Sequence, residues 1–230
     1  YIERIENAAQ RAVDLTKQLL TFSKGGEPIK AVASLEQLIT DTTQFVFSGS
    51  NVRFDLDIQP DLWSSEVDIG QISQVFQNIM INAMQSMPQG GIVRIKAHNY
   101  VYDGKSQKPL LPGDYIAITI KDEGIGIPKE NLSKIFDPFF TTKEIGKGTG
   151  LGLAMVYGII KNHNGFINVI SSKGHGTIFE IYLPSSEKHI LKVEDTKQDI
   201  KQGSETLLIV DDETSVQQML QLALEGLNYR

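Results

Sequence analysis

The sequence predicts an α/β fold, a two-layer sandwich of a mixed sheet with three helices on one face. Three segments, about 34–47, 68–87 and 150–164, repeat apolar residues at three- and four-residue steps. Five short segments between and after them alternate apolar and polar residues, as half-buried strands do. A long glycine-rich stretch, Asp122 to Gly150, interrupts this pattern, and a long loop inside a compact domain is usually functional.

The elements follow in order. Residues 1–24 read as an amphipathic helix with Ile2, Ile5, Ala9, Ala12, Leu19 and Phe22 on one face, stopped by Lys24-Gly25-Gly26-Glu27-Pro28. A lone helix of that length is marginal in water, so the stripe needs a partner, in a helical bundle or on its own domain. Ser34 is a fair N-cap for the next helix, whose apolar side is Leu35, Leu38, Ile39, Thr42, Phe45 and Val46. Val52, Phe54, Leu56 and Ile58 alternate along a strand that Pro60 ends. The helix at 68–87 carries Ile69, Ile72, Val75, Phe76, Ile79, Met80 and Ala83. Strands are expected at 92–98, 115–121, 166–170 and 177–183, with a polar hairpin loop at 103–113 and Pro184 closing the domain. Residues 185–204 read as a linker, and Leu207 to Val210 as a new apolar strand followed by a helix to Tyr229.

Bulk properties exclude several classes. The chain has 230 residues, 40% hydrophobic and 22% charged, and a formal charge of -6. That balance suits a globular protein and gives no global attraction to nucleic acid or anionic membrane. The absence of cysteine removes disulfides, thiol nucleophiles and thiolate metal sites. The longest run free of strongly polar residues, Leu151 to Ile160, is too short to cross a bilayer. Because the chain opens at Tyr1 without a signal peptide, it is expected to be a segment of a longer protein.

Four short pieces carry chemistry. Asn78 and Asn82 stand one helical turn apart on an otherwise core-facing helix, so both amides need partners. Asp122-Glu123-Gly124-Ile125-Gly126 puts an acid at a strand end before spaced glycines, where a flat ring can approach the backbone and an amine can donate to the carboxylate. Ile135 to Lys143 holds Phe136, Phe139 and Phe140, which are expected to be buried and to anchor the loop. Gly146-Lys147-Gly148-Thr149-Gly150-Leu151-Gly152-Leu153 runs straight into a helix, a backbone cradle for phosphate at the positive end of the dipole. It lacks the Gly-Lys-Ser/Thr triplet of P-loop enzymes.

Together, in this order, the pieces resemble the catalytic ATP-binding domain of sensor histidine kinases. That domain lies within the superfamily that also holds gyrase, the Hsp90 chaperones and mismatch-repair ATPases. Asn78 and Asn82 match the N-box, Asp122 to Gly126 the first glycine box, Phe136 to Phe140 the F-box and Gly146 to Leu153 the second glycine box. Gly176-Thr177 and the strand after it match the final Gly-Thr element. The resemblance covers about residues 29–184. It implies ATP and Mg2+ as cofactors, with Asp122 and Thr177 reading adenine beside Gly124 and Gly126, and Asn82 as the metal ligand. Lys143, Gly148, Thr149, Gly150, Leu151 and Gly152 would close over the phosphates, and Asn78 and Lys143 are the candidate catalytic residues. Three lysines, Lys143, Lys147 and Lys161, lie against Glu144 between Thr141 and Asn164, a local positive field.

The same resemblance organises the ends. Residues 1–28 look like the second helix of a dimerisation and phosphotransfer hairpin. Residues 29–184 are then the catalytic domain, 185–204 a linker, and 205–230 the start of a receiver domain with Asp211 and Asp212 as its acidic pair. The implied activity is that of an ATP-dependent protein histidine kinase in two-component signalling. Its partners would be a phosphoacceptor histidine on the hairpin's other helix, a response regulator or receiver domain, and a second copy in a homodimer; no nucleic acid is expected. A cytoplasmic location is implied for this part. None of His98, His163, His175 and His189 precedes an acid as the family's acceptor does, and surface or packing roles are expected for them. His163 and His175 are expected in loops beside the site. Two other functions share these motifs, an ATP-hydrolysing dimerisation machine of the gyrase or Hsp90 type and a non-catalytic nucleotide-sensing interaction module. In the former a glutamate four residues before the metal-binding asparagine activates water; Asn78 holds that place, and an amide is no general base.

Overall fold

The computed structural model describes residues 28–105, 109–143 and 148–186, together with 206, 208, 221, 224–226 and 229. The expected N-terminal helix at 1–24, most of the linker and nearly all of the receiver-like end lie outside the described residues. The chain divides into two compact units, residues 1–189 and 190–230. In the second unit Gln221 donates to Glu225 at 2.8 Å, an i,i+4 pair on helical residues.

In the first unit β1 (Ala31–Ser34) leads into α1 (Leu35–Phe47), β2 (Val52–Ile58), β3 (Ser64–Val67) and α2 (Ile69–Ser86). Then come β4 (Gly91–Tyr102), β5 (Gly113–Lys121), a 3-10 turn at Lys129–Asn131, α3 (Gly152–Asn162), β6 (Phe166–Ser171) and β7 (Thr177–Pro184). Five strands form a sheet in the order β2-β4-β5-β7-β6, with β2 parallel to β4 and every other pair antiparallel, so the sheet is mixed. β1 and β3 pair separately, Ala31 opposite Val67 and Ser34 opposite Ser64.

Period-two alternation decides which face is buried. Val93, Ile95 and Ala97 of β4, Ile116, Ile118 and Ile120 of β5, and Phe179, Ile181 and Leu183 of β7 share one core cluster with residues of all three helices. On the other face Tyr102, Tyr115, Ala117 and Tyr182 form a second cluster joined by Tyr100 and Phe166. The helix-lined face therefore makes the sandwich. α2 supplies most of its helical core through Ile72, Val75, Phe76, Ile79, Met80 and Ala83. Each such side chain contributes about 1.5–3 kcal/mol by leaving water.

Capping fixes the ends of the two helices that matter for the site. Asp68 caps α2, its Oδ1 accepting from the Gln71 amide at 3.0 Å. Asn164, at φ 55°, ends α3 in the left-handed region, and the Gly165 amide closes onto the Ile160 carbonyl at 2.9 Å.

Three local readings need correction. Phe45 is 76% exposed, whereas Phe47, two residues on and so on the opposite side of the helix, is buried against Phe54. Ile69 is half exposed because it opens α2 ahead of the packed turns. The sequence reading contains neither β1 nor β3: at four residues each, AVAS and SSEV are too short to show a strand period.

Candidate nucleotide-binding site

The site begins where β5 ends. Asp122 is buried at 4% exposure, and its own amide donates to the Thr177 carbonyl at 2.9 Å on the neighbouring strand β7. Its Oδ1 accepts from the Gly124 amide at 2.8 Å, the Thr177 amide at 3.2 Å and the Ser86 hydroxyl at 3.3 Å. All three bonds fall on one oxygen, which leaves Oδ2 free of them and fixes the plane of the carboxyl. Burial pushes the carboxyl pKa up, and the Gly124, Thr177 and Ser86 donors pull it partly back. A half-compensated buried acid at a strand end is how a site is built to receive an amine.

Backbone segments close around that acid with no room for side chains. A Cβ on Gly124 would stand 1.9 Å from Ser86 Oγ, and one on Gly126 would stand 2.0 Å from the Ser172 carbonyl oxygen. Gly176, at φ +74°, passes so close that its Cβ would lie 2.0 Å from the Asp122 carbonyl oxygen. Ser171 binds the strands together: its hydroxyl accepts from the Ile127 amide at 2.8 Å, meets the Gly176 carbonyl at 2.7 Å and lies 3.0 Å from Thr177 Oγ1. Thr177 itself is buried at 4% exposure. The result is a tightly packed backbone junction around the Asp122 carboxyl.

Beside that junction lies one face of α2. The single Ser86 hydroxyl proton is shared between the Ala83 carbonyl at 2.7 Å and Asp122 Oδ1 at 3.3 Å, so it ties the helix end to the Asp122 carboxyl. One turn earlier, Asn82 Oδ1 accepts from Lys143 Nζ at 3.1 Å, and Gln85 Oε1 accepts from the same ammonium. A further turn back, the Asn78 amide nitrogen is buried without a hydrogen-bond partner. Burial lowers the Lys143 pKa. An orphaned buried donor on this helix face and an ammonium held against it are both arrangements suited to an anion.

The far end is the start of α3. Gly148, Thr149, Gly150, Leu151 and Gly152 lead into it, and Leu151, fully buried, gives the helix no side-chain cap. The first-turn amides are thus left for a ligand at the positive end of the dipole. Gly150, at φ +67°, passes Phe139 so closely that its Cβ would stand 2.4 Å from the Phe139 carbonyl carbon. A Cβ on Gly152 would stand 3.3 Å from Asn78 Oδ1, which brings the α2 face and the α3 start together.

Of the predicted residues, Asp122, Gly124, Gly126 and Thr177 meet at the β5 end, Asn78 and Asn82 lie on the α2 face beside them, and Lys143 with Gly148 to Gly152 makes the far end. Gln85, Ser86 and Ser171 were missed. Gln85 and Ser86 lie three and four residues after Asn82, so the polar stripe starting at Asn78 announced them. Ser171 carried no signal beyond its place at the end of a strand. Two other expectations are corrected. Phe139 is 62% exposed with φ 66°; the anchors are buried Ile135 and half-buried Phe136, whose ring lies 5.3 Å from that of Tyr157. His163 is not in a loop beside the site but is buried at the opposite end of α3, where its Nε2 accepts from the Asp68 amide at 3.0 Å.

The geometry fits a nucleotide with a hard cation. A buried carboxylate with one oxygen free of protein donors suits an aminated base, and the Asn78 donor with the open α3 start suits phosphates. No group of three or more His, Cys, Asp or Glu side chains converges among the described residues. A cation here would take the Asn82 amide oxygen and otherwise phosphate oxygens and water, the ligand set Mg2+ prefers.

Fold and site together define a nucleotide-binding α/β domain. Residues 67–187 match the family of histidine kinase-, DNA gyrase B- and HSP90-like ATPases, and the chain belongs to that family. Over 99% of its length it is 37% identical to sensor kinase CckA of Brucella abortus (strain 2308), covering 26% of that protein. It is 38% identical over 73% of its length to the signal transduction histidine-protein kinase AtoS of Escherichia coli (strain K12), again covering 26%. The chain thus spans about a quarter of the length of these relatives. Among solved structures, the catalytic domain of histidine kinase ThkA is 27% identical with a TM-score of 0.55, over 68% of this chain and 95% of that one. Full-length ShkA in complex with AMPPNP, 18% identical, shares the fold with a TM-score of 0.66, over 100% of this chain and 47% of that one.

Proposed function

We propose that this domain binds Mg-ATP and presents its γ-phosphate to a histidine on an adjoining helical hairpin, as the catalytic part of a hybrid sensor histidine kinase. The observation that carries the reading is Asp122, a buried carboxylate with one oxygen saturated and the other turned to no protein donor. In this reading Asp122 accepts from the adenine amino group and Thr177 lines the same edge. Gly124 and Gly126 let the base lie on the backbone. Asn78 donates to a phosphate oxygen, the amides of Gly148 to Gly152 cradle the phosphates, and Lys143 approaches them. Asn82 would hold Mg2+, which when bound neutralises phosphate charge. Phosphoryl transfer is mainly positioning and electrostatics, so the site needs no general base of its own.

The relatives' names support the kinase reading over hydrolysis, as does an amide at Asn78. Residues 1–28 are read as one hairpin helix, 29–184 as the catalytic domain, 185–204 as a linker and 205–230 as the start of a receiver. The whole protein would then act as a homodimer, with a response regulator or receiver as phosphoryl acceptor after the histidine, in the cytoplasm. Among the described residues no helix is long and apolar enough to cross a membrane.

Calorimetric titration with ATP and GTP, with and without Mg2+, tests the site. ATP should bind at least tenfold more tightly than GTP, whose oxygen at that position cannot donate to Asp122. Equal affinities would refute the assignment. Incubation with γ-labelled ATP tests the activity: acid-labile label should reach a hairpin carrying the acceptor histidine, and phosphate release without transfer would favour hydrolysis.

A further inference from the structure

Lys143 has an unusual partnership. Its side chain is exposed, and none of the ion pairs among the described residues includes it. Two neutral amide oxygens hold it instead, Asn82 Oδ1 at 3.1 Å and Gln85 Oε1. Amide oxygens are also ligands that a hard metal ion accepts, so the ammonium holds an oxygen that a divalent ion could use. Lys143 reaches them from the loop before α3, 61 residues away in sequence from Asn82. Its amide is fixed by Thr141 Oγ1 at 3.1 Å.

We propose that Lys143 is the resident cation of the nucleotide-free site, occupying Asn82 Oδ1 until a divalent ion displaces it, and that Gln85 is the positioning residue that keeps it there. The inference rests on Asn82 as the metal ligand. A metal at about 2.1 Å and an ammonium at hydrogen-bond distance on one amide oxygen would stand within about 4 Å of each other, where like charges repel strongly. Loading the metal therefore expels the ammonium from Asn82. Gln85, one turn nearer the base, still tethers it, so the freed charge remains beside the phosphates. Metal binding and lysine delivery become one exchange: the site neither strands the Asn82 oxygen nor crowds two cations onto it.

The test uses ADP, which lacks the γ-phosphate, so that any contact of Lys143 with that group drops out. ADP affinity of the full 230-residue chain is measured by calorimetry across a Mg2+ series. The readout is the Mg2+ concentration giving half of the metal-dependent gain. Lys143→Met should lower that concentration about three- to tenfold, since its charge-assisted hydrogen bond to Asn82 no longer competes, and Gln85→Leu should lower it by less, since an untethered ammonium spends less time on Asn82. Lys143→Arg, which keeps a cation, should stay nearer the unmutated chain than Lys143→Met does. Asn82→Ala should lose the Mg2+ dependence. An unchanged or raised half-point in Lys143→Met overturns the exchange alone, and an unchanged one in Gln85→Leu overturns the role of Gln85. If the unmutated chain binds ADP with no Mg2+ dependence, or not at all, the reading of the site fails and the exchange with it.

Discussion

Asp122 and Thr177 are bonded in both directions: the Asp122 amide donates to the Thr177 carbonyl at 2.9 Å, and the Thr177 amide donates to Asp122 Oδ1 at 3.2 Å. The carboxylate is therefore positioned by the neighbouring strand rather than by its own loop. Asp122→Asn keeps an oxygen for the Gly124, Thr177 and Ser86 donors while removing a buried charge. The melting temperature should hold or rise, whereas ATP affinity should fall by about 1.5–3 kcal/mol. A calorimetric titration beside a thermal melt checks both, and unchanged ATP affinity would remove Asp122 from the site.

Gly176→Ala should damage fold and binding together. The residue sits at φ +74°, and an added Cβ would meet the Asp122 carbonyl oxygen at 2.0 Å. Backbone cannot yield as a side-chain tip can, so about 2–4 kcal/mol of stability should be lost. Chemical denaturation measures this. By contrast Gly174→Ala, with nothing within 4 Å of its Cβ, should lose only the cost of its φ of +82°.

His163 should make the domain acid-sensitive. Its Nε2 accepts from the Asp68 amide at 3.0 Å, so its Nδ1 carries the proton toward the Ile159 carbonyl at 2.8 Å, and the ring is neutral. Burial lowers its pKa, with Lys30 adding to the effect and the Ile159 bond and Asp68 opposing it. Below the ordinary value near 6.5, the unfolded chain takes up a proton while the folded ring resists it, so stability falls as pH drops through that window. Thermal melts from about pH 7.5 to 5.5 should show the decline. His163→Gln, which can still accept from Asp68 but cannot titrate, should flatten it; an equally steep decline would place the titration elsewhere.

Nucleotide should protect the start of α3 selectively. Leu151 supplies no side-chain cap, so the amides from Gly148 to Gly152 gain partners when phosphate binds. Hydrogen exchange with ATP and Mg2+ should slow at these amides and stay unchanged at Val93 to Ala97, which lie in the sheet. Protection spread evenly over both would point to general stabilisation instead.

The helices and central strands were legible because their periods are long enough to read. Asn78 and Asn82 stood out as amides on a core-facing helix, and Asp122 as an acid at a strand end. Phe139 was misread because its burial depends on the left-handed turn at φ 66° that Gly150 packs against, which no local pattern encodes. The place of His163 depends on two helices running antiparallel, so that the end of α3 meets the start of α2. The Lys143 contact spans 61 residues and appears only once the loop is folded over α2.

Asn78, Asn82, Gln85 and Ser86 lie on one helix, across about 12 Å at 1.5 Å per residue. α2 is therefore a rigid template that keeps the base end and the phosphate end of the site in phase. Inserting one residue between Asn78 and Ser86 would turn everything beyond it by about 100° and swing either the amides or Ser86 into the core. Such a change would alter no side chain, yet it would uncouple the two halves of the site. Sequence drift here should proceed by replacement alone, with length changes confined to the loops.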